Sequence, residues 1–258
     1  MDKENVFTSK VDVGYRENVP EVNYEEFKKV IEGRRSVRVF KDEVVPDEVI
    51  KNAIEDGLKA PNSSNLQPWK FLWVKSEEKK KVLAKLCFSQ RGAKTAQHMI
   101  VCVAQTNTWK RNCQKNIETL RKLNQTVPKV VESYYKKIAP MAYGLMGPFG
   151  LFSPFKWILF NTLGLFRVMA RGPIWPSDLV TWAVKTTALA CENIMLSCRA
   201  QGYDSLPMEG FDSRRVKKLF KLGRHDHLVM VIGVGKRAED GVYGPQVRFP
   251  KEESIESF

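Results

Sequence analysis

Arg34-Arg35-Ser36-Val37-Arg38 places three guanidinium groups and a hydroxyl within five residues. Guanidinium is a planar fork of donors that meets phosphate oxygens two at a time. The cluster calls for an anion, although alone it also reads as a solvated helix end where positive charge suits the dipole. A second polar stretch, Ala60-Pro61-Asn62-Ser63-Ser64-Asn65-Leu66-Gln67-Pro68-Trp69, offers amides and hydroxyls between two prolines. By residue type alone it is a turn. A third stretch, Leu206-Pro207-Met208-Glu209-Gly210-Phe211-Asp212, also reads as a turn. There Gly210 would let a backbone N–H approach a ligand with no Cβ in the way. The fourth is Gly244-Pro245-Gln246-Val247-Arg248-Phe249-Pro250, which carries one more guanidinium.

The elements that must position these stretches follow from apolar spacing. Residues up to about 22 read as an extended arm. Asn23 caps a helix, with Glu26 as its capping-box partner and Tyr24, Phe27, Val30 and Ile31 on one face. Gly33 ends that helix, so the arginines sit at its exit. A helix follows Pro46, with Ile50, Ala53, Ile54 and Leu58 at helical spacing. Pro61 breaks the chain into a loop. Phe71–Val74, Met99–Ala104 and Leu228–Val234 read as three buried strands. Ser76 starts a helix carrying Val82, Leu83, Leu86 and Cys87. A long helix from about Asp178 to Ala200 is apolar around much of its circumference and so belongs at the centre of the fold or at a subunit contact. Asp212 caps a short helix, and the tail past Tyr243 is irregular. This mixture without a βαβ rhythm predicts an α+β fold. No G-x-G-x-x-G follows a first strand, which argues against a Rossmann site.

Residues 107–176 stand apart. Between Ser133 and Ser177 there is no acidic residue, and 141–170 is rich in Phe, Leu, Met, Gly and Pro. A spanning helix needs about 20 continuous apolar residues. Gly144, Gly147, Pro148, Gly150 and Pro154 interrupt the run, so no transmembrane helix is expected.

At 258 residues and 43% hydrophobic, the chain fits one domain with an insertion. Its polar start has no signal-peptide stretch, which favours the cytoplasm. Five cysteines without a C-x-x-C, and only three histidines, argue against a metal site and for reduced, mostly buried thiols. The net charge of +13 is scattered without a nucleic-acid motif. It reads as a solvated basic surface rather than a nucleic-acid face. His225 and His227 read as structural or exposed.

In order and spacing, the four stretches together resemble the nitroreductase family of flavin enzymes. That family has a basic R-x-S-x-R/K segment, a later A-P-S-x-x-N-x-Q-P-W segment, a P-x-E-G-F segment and a C-terminal pair of basic residues two apart. The resemblance covers about 30–105 and 178–250 and leaves the insertion unaccounted for. It departs at Gln246, where many members have Lys; Arg35 would supply the missing charge.

The resemblance implies a central, mostly antiparallel sheet flanked by helices, in an intertwined homodimer of one domain spanning 1–258. It implies FMN as cofactor and NADH or NADPH as electron donor. The acceptor would be a small aromatic molecule such as a nitroaromatic or a quinone, and the mechanism ping-pong hydride transfer through the flavin N5. By resemblance Arg34 and Ser36 hold the phosphate with Arg248, and Arg38 lies by the flavin N1. Pro61, Asn62, Ser63 and Asn65 reach FMN from the partner subunit, and Glu209 and Gly210 present backbone to the ring. A residue near Gln90 or Arg91 also touches it. No side-chain nucleophile is needed, because the cofactor carries the chemistry. The insertion reads first as a lid over the flavin, second as extra dimer packing, third as a membrane-facing surface through 141–170. Two alternatives stay open: a reductive dehalogenase-type member, or a non-enzymatic flavin- or anion-binding protein at the membrane periphery.

Overall fold

The computed structural model describes residues 16–123 and 127–258. The predicted arm therefore falls largely outside the described residues, and the part within them, 16–22, has no regular structure. Helix α1 (Tyr24–Gly33) starts at Asn23, whose Oδ1 accepts the N–H groups of Glu25 and Glu26 at 2.9 and 3.3 Å. The reciprocal half of the expected capping box is not formed. Glu26 instead takes the ammonium of Lys29 at 2.6 Å. Helix α2 (Asp47–Leu58) buries Val49, Ile50, Ala53 and Gly57. Strand β1 (Trp69–Val74) and helix α3 (Glu77–Leu86) follow, the latter capped by Ser76. Helix α4 (Arg91–Thr95) leads into β2 (His98–Gln105).

The insertion is helical: α5 (Trp109–Lys122), α6 (Lys129–Ser133), a single π-helical turn, α7 (Ala139–Tyr143) and α8 (Ser153–Phe166). The long predicted helix is α9 (Pro176–Ala200), followed by β3 (Asp204–Met208), α10 (Ser213–Leu219) and β4 (Asp226–Gly235). Asp212 caps α10 as expected, accepting the Arg215 N–H at 3.0 Å.

The strands form one antiparallel sheet in the order β1-β2-β4-β3. The fold is α+β, as the sequence predicts. One expectation is corrected: Leu206–Met208 is strand, not turn, and the turn begins only at Glu209. Pro207 hid the strand. It cannot donate to a ladder, but β3 is an edge strand, where a missing N–H costs little.

The sheet separates two apolar layers. Val37, Leu83, Met99, Val101, Leu206 and Val231 pack on one face with α3 and α4. Ile50, Ala53, Ile100, Cys191, Ile194 and Ile232 pack on the other with α2 and α9. Gly57 is what lets α2 lie close on α9, since a Cβ there would stand 2.6 Å from the Ile194 side chain. α9 is thus central. All five cysteines are buried free thiols, as expected.

Candidate functional site

The arginine cluster runs extended beside β3 and is joined to it by an isolated bridge between Ser36 and Ser205. Val37 N–H donates to the Ser205 carbonyl at 3.1 Å, and Arg38 N–H donates to the Gly241 carbonyl at 2.6 Å. The two-residue period of extended backbone then decides the side chains. Val37 is fully buried, whereas Ser36 is exposed and Arg38 half-buried. A buried carboxylate anchors the approach. Asp204 accepts Arg199 at 2.9 Å and Arg237 at 2.5 Å, and Arg237 also donates to the Gly33 carbonyl at 3.0 Å. The end of α1 is thereby fixed to the start of β3. Across the strand, a Cβ on Gly92 would stand 2.3 Å from Leu206 and 3.3 Å from the carbonyls of Val37 and Arg38. Only glycine lets α4 come this close.

The tail returns to the same place. Arg35 Nη2 donates to the Gly244 carbonyl, 209 residues on, at 2.5 Å. Arg34, Arg35, Ser36, Arg38, Gln246 and Arg248 line one cavity of about 300 Å³ with no carboxylate in its wall. Arg34 Nε meets Glu192 at 3.4 Å, and Arg248 donates to the Val247 carbonyl at 2.8 Å. Among the described residues, the side chains of Ser36, Arg38 and Gln246 make no hydrogen bond. The cavity thus keeps three unused polar side chains, Ser36, Arg38 and Gln246, beside three further arginines, a donor set suited to a phosphate.

Gln90 and Arg91, left open by the sequence, part company here. Gln90 Nε2 donates to the Gly210 carbonyl at 3.3 Å, whereas Arg91 turns to Asp240 at 2.8 Å. A Cβ on Gly210 would meet nothing nearer than 3.6 Å, and its backbone does not adopt the left-handed conformation. Neither strain nor packing within the chain demands glycine at this exposed position. Close approach of a ring does fit it.

Residues 61–65 face elsewhere. Asn62 Oδ1 accepts the Gln67 N–H at 2.8 Å, and Asn65 exchanges two bonds with Asn116 of α5 at 2.7 and 2.8 Å. Ser64 Oγ lies 2.5 Å from the Tyr134 hydroxyl and 3.3 Å from that of Tyr143, while Tyr135 donates to the Ser64 carbonyl at 3.2 Å. Ser63 and Ser64 line a cavity of about 910 Å³ together with Tyr134, Met141, Phe160 and Val168 of the insertion. A single chain therefore brings Arg34, Arg35, Ser36, Arg38, Gln246 and Arg248 together. Neither Pro61–Asn65 nor Glu209–Gly210 lines that cavity.

A third cavity, about 620 Å³, brings His225 and His227 together with Thr106, which carried no signal in the sequence. Thr106 Oγ1 lies 3.4 Å from His225 Nδ1 and 3.5 Å from His227 Nε2, and all three side chains line the cavity with Trp109, Tyr143 and Leu179. Both histidines are half-buried. Burial, then the Lys217 and His225 charges, hold the His227 pKa below the ordinary histidine value. The only sequence signal was the spacing His225-Asp226-His227 at the mouth of a strand.

Comparison with known proteins gives the family. "NADH dehydrogenase" from Thermus thermophilus is 24% identical over 226 residues, covering 86% of this chain and 91% of that protein. YdgI from Bacillus subtilis, classed as an NAD(P)H nitroreductase, is 26% identical over 220 residues, covering 84% and 90%. A crystal structure from Exiguobacterium sibiricum, of a protein classed as a nitroreductase and solved in complex with FMN, superposes with a TM-score of 0.65. It is 24% identical and covers 90% of this chain and 97% of that one. The model of the Nitroreductase family matches residues 31–236, from the last turn of α1 to the end of β4, and the chain belongs to that family.

Proposed function

We propose that the protein is an FMN-dependent NAD(P)H oxidoreductase that reduces a small aromatic acceptor, a nitroaromatic or a quinone. The observation that carries this reading is the arginine-rich, carboxylate-free wall of the cradle, built from both ends of the chain, in which Ser36, Arg38 and Gln246 are unused. FMN in a related fold and the nicotinamide-dependent names of relatives support it.

In this reading Arg34, Ser36 and Arg248 grip the phosphate, and Arg35 fixes the tail that delivers Arg248. FMN held there would supply the hydride chemistry that links a nicotinamide donor to the acceptor. The Arg38 cation in the same cavity would favour a bound flavin that carries negative charge. Gln90 orients the Gly210 peptide, and Glu209–Gly210 would present backbone to a bound ring without a side chain between them.

The remaining contacts, from Pro61, Asn62, Ser63 and Asn65, come from a second subunit. Two features favour such a homodimer. Residues 61–65 face away from their own cradle, and the apolar face of α1 is uncovered, with Tyr24, Phe27 and Ile31 exposed. The whole of 1–258 is one domain, with 107–176 as an inserted lid. The cavity between the lid and residues 61–65 then takes the acceptor.

Anaerobic stopped-flow mixing with NADH and NADPH tests the reading, followed by a panel of quinones, nitroaromatics and halophenols. The purified protein is expected to be yellow and to bleach with at least one nicotinamide. A colourless preparation that takes up no FMN sinks the proposal. Bound flavin that neither nicotinamide reduces points instead to a binding role.

A further inference from the structure

Helix α8 is built inside out. A helix on a water-soluble protein turns its apolar stripe to the core and its polar residues to water. The strip that α8 turns inward is Ser153, Lys156 and Phe160. Ser153 Oγ donates to the Ile174 carbonyl at 2.8 Å, and Lys156 Nζ donates to the carbonyls of Ala142 and Gly144 at 2.6 and 3.0 Å. Lys156 is only 3% exposed. The outward surface carries Phe155 at 71%, Phe166 at 83%, and the exposed side chains of Trp157, Ile158, Leu159 and Leu165. The polar side chains thus dock the helix to its own chain, and the large apolar ones point away from it. Scattered apolar residues on a surface are ordinary, but a contiguous patch of this kind marks an interaction site.

Length and charge say what covers the patch. α8 has 14 residues, about 21 Å at the helical rise. No described helix is long and apolar enough to cross a membrane. Such a helix lies on a lipid surface rather than through it. No carboxylate occurs between Glu132 and Asp178. Those two are occupied: Glu132 with Arg121 and Lys136, each at 2.8 Å, and Asp178 with the N–H groups of Ile174 and Trp175. Arg167 and Arg171 follow α8 and are exposed, and Arg224 lies 5.5 Å over the ring of exposed Phe149. The apolar patch therefore has a cationic rim. A two-fold contact between copies through this face would set a carboxylate-free cationic surface against itself.

We propose that residues 149–168, with α8 at their centre, rest in the headgroup region of an anionic lipid surface. Val168 and Met169 also line the cavity beside residues 61–65, so docking there would bring a membrane-borne acceptor to its mouth. That last consequence alone rests on the function proposed above; the docking does not.

Flotation of the purified full-length protein with unilamellar vesicles provides the test. The probes are vesicles of phosphatidylglycerol and phosphatidylcholine in equal parts, and vesicles of phosphatidylcholine alone. The wild-type protein should float with the mixed vesicles, bind the neutral ones at least about tenfold more weakly, and be released by high salt. The double variant Phe155→Ser/Leu159→Ser should lose at least about tenfold in partition to the mixed vesicles while keeping its flavin absorbance and circular dichroism. Equal binding to both vesicle types, or unchanged partition of the double variant, overturns the proposal. So does absence of wild-type flotation. If light scattering then shows that the double variant splits a wild-type oligomer, a second copy is what covers the face.

Discussion

Arg35 Nη2 and the Gly244 carbonyl, 2.5 Å apart, tie the exit of α1 to the start of the tail. The sequence offered Arg35 as a replacement for the lysine that Gln246 displaces. In the structure it lines the cradle and also holds the segment that carries Arg248. Arg35→Ala should therefore weaken FMN binding by about tenfold, the loss expected when a charged donor leaves a carbonyl. Titration of FMN fluorescence against the apoprotein measures it. The same variant should expose the tail to limited proteolysis, whereas Arg248→Ala should weaken FMN without doing so.

Arg34 and Arg38 should separate by observable. Arg34 lines the cradle and shares its charge with Glu192 at 3.4 Å. Arg38 makes no side-chain bond among the described residues, so its charge is free to act on a ligand. Arg34→Ala is expected to lower flavin affinity and leave the potential of bound flavin alone. Arg38→Ala is expected to lower that potential by about 30 mV, because it removes the cation that favours the reduced state. Spectroelectrochemistry on both variants decides. A shift in the first and none in the second would reverse the assignment.

The frame was readable because each of its elements carries its own signal. The α9 pattern and the three apolar strand runs are long and regular, and Asn23, Ser76 and Asp212 cap the helices predicted to follow them. β3 was missed because Pro207 and Gly210 are turn residues by type, and only the edge of a sheet tolerates the first. The cradle was legible in composition, as arginines need anions. Its assembly was not, since the Arg35–Gly244 contact spans 209 positions and no local pattern encodes it. The outward face of α8 was also hidden. Composition showed an apolar run, but the direction in which Lys156 points depends on where the Ala142 and Gly144 carbonyls lie.

Asp204 is 4% exposed and faces two guanidinium groups. Removing one member of a buried charge network strands the others. Asp204→Asn should destabilise the fold by about 3 kcal/mol, read as a lowered urea midpoint with an unchanged slope. It should also weaken FMN binding, because the Gly33 carbonyl is held by Arg237 from the same network. A variant with normal stability and normal FMN affinity would remove Asp204 from the support of the site.

Ser64 joins the 61–65 loop to the insertion, through Tyr134 and Tyr135. If the insertion is a lid, Tyr134→Phe/Tyr135→Phe should raise the acceptor KM several-fold by loosening its closure, with the rate of nicotinamide half-reaction unchanged. Steady-state kinetics and single-turnover reduction distinguish the two. Slowed reduction with a normal acceptor KM would place these tyrosines on the donor side.

The alkaline stability of the protein should carry two opposing signatures. Burial lowers the Lys156 pKa to about 8 from 10.5. Between those values the unfolded chain binds more protons than the folded one, so this group makes stability rise with pH. Burial raises the thiols of Cys87 and Cys113 to about 11 and that of Cys198 to about 12, from 9.0. There the folded chain holds more protons, so above about pH 9 the same linkage makes stability fall. Lys156→Met removes only the first effect. The difference in melting temperature between wild type and Lys156→Met should therefore change steadily in favour of wild type from pH 8 to pH 10, while the thiols contribute equally to both proteins. A difference flat across that window would mean that Lys156 keeps an ordinary pKa despite its burial. Slow alkylation of the native thiols at pH 7, and fast alkylation in urea, checks the second effect on its own.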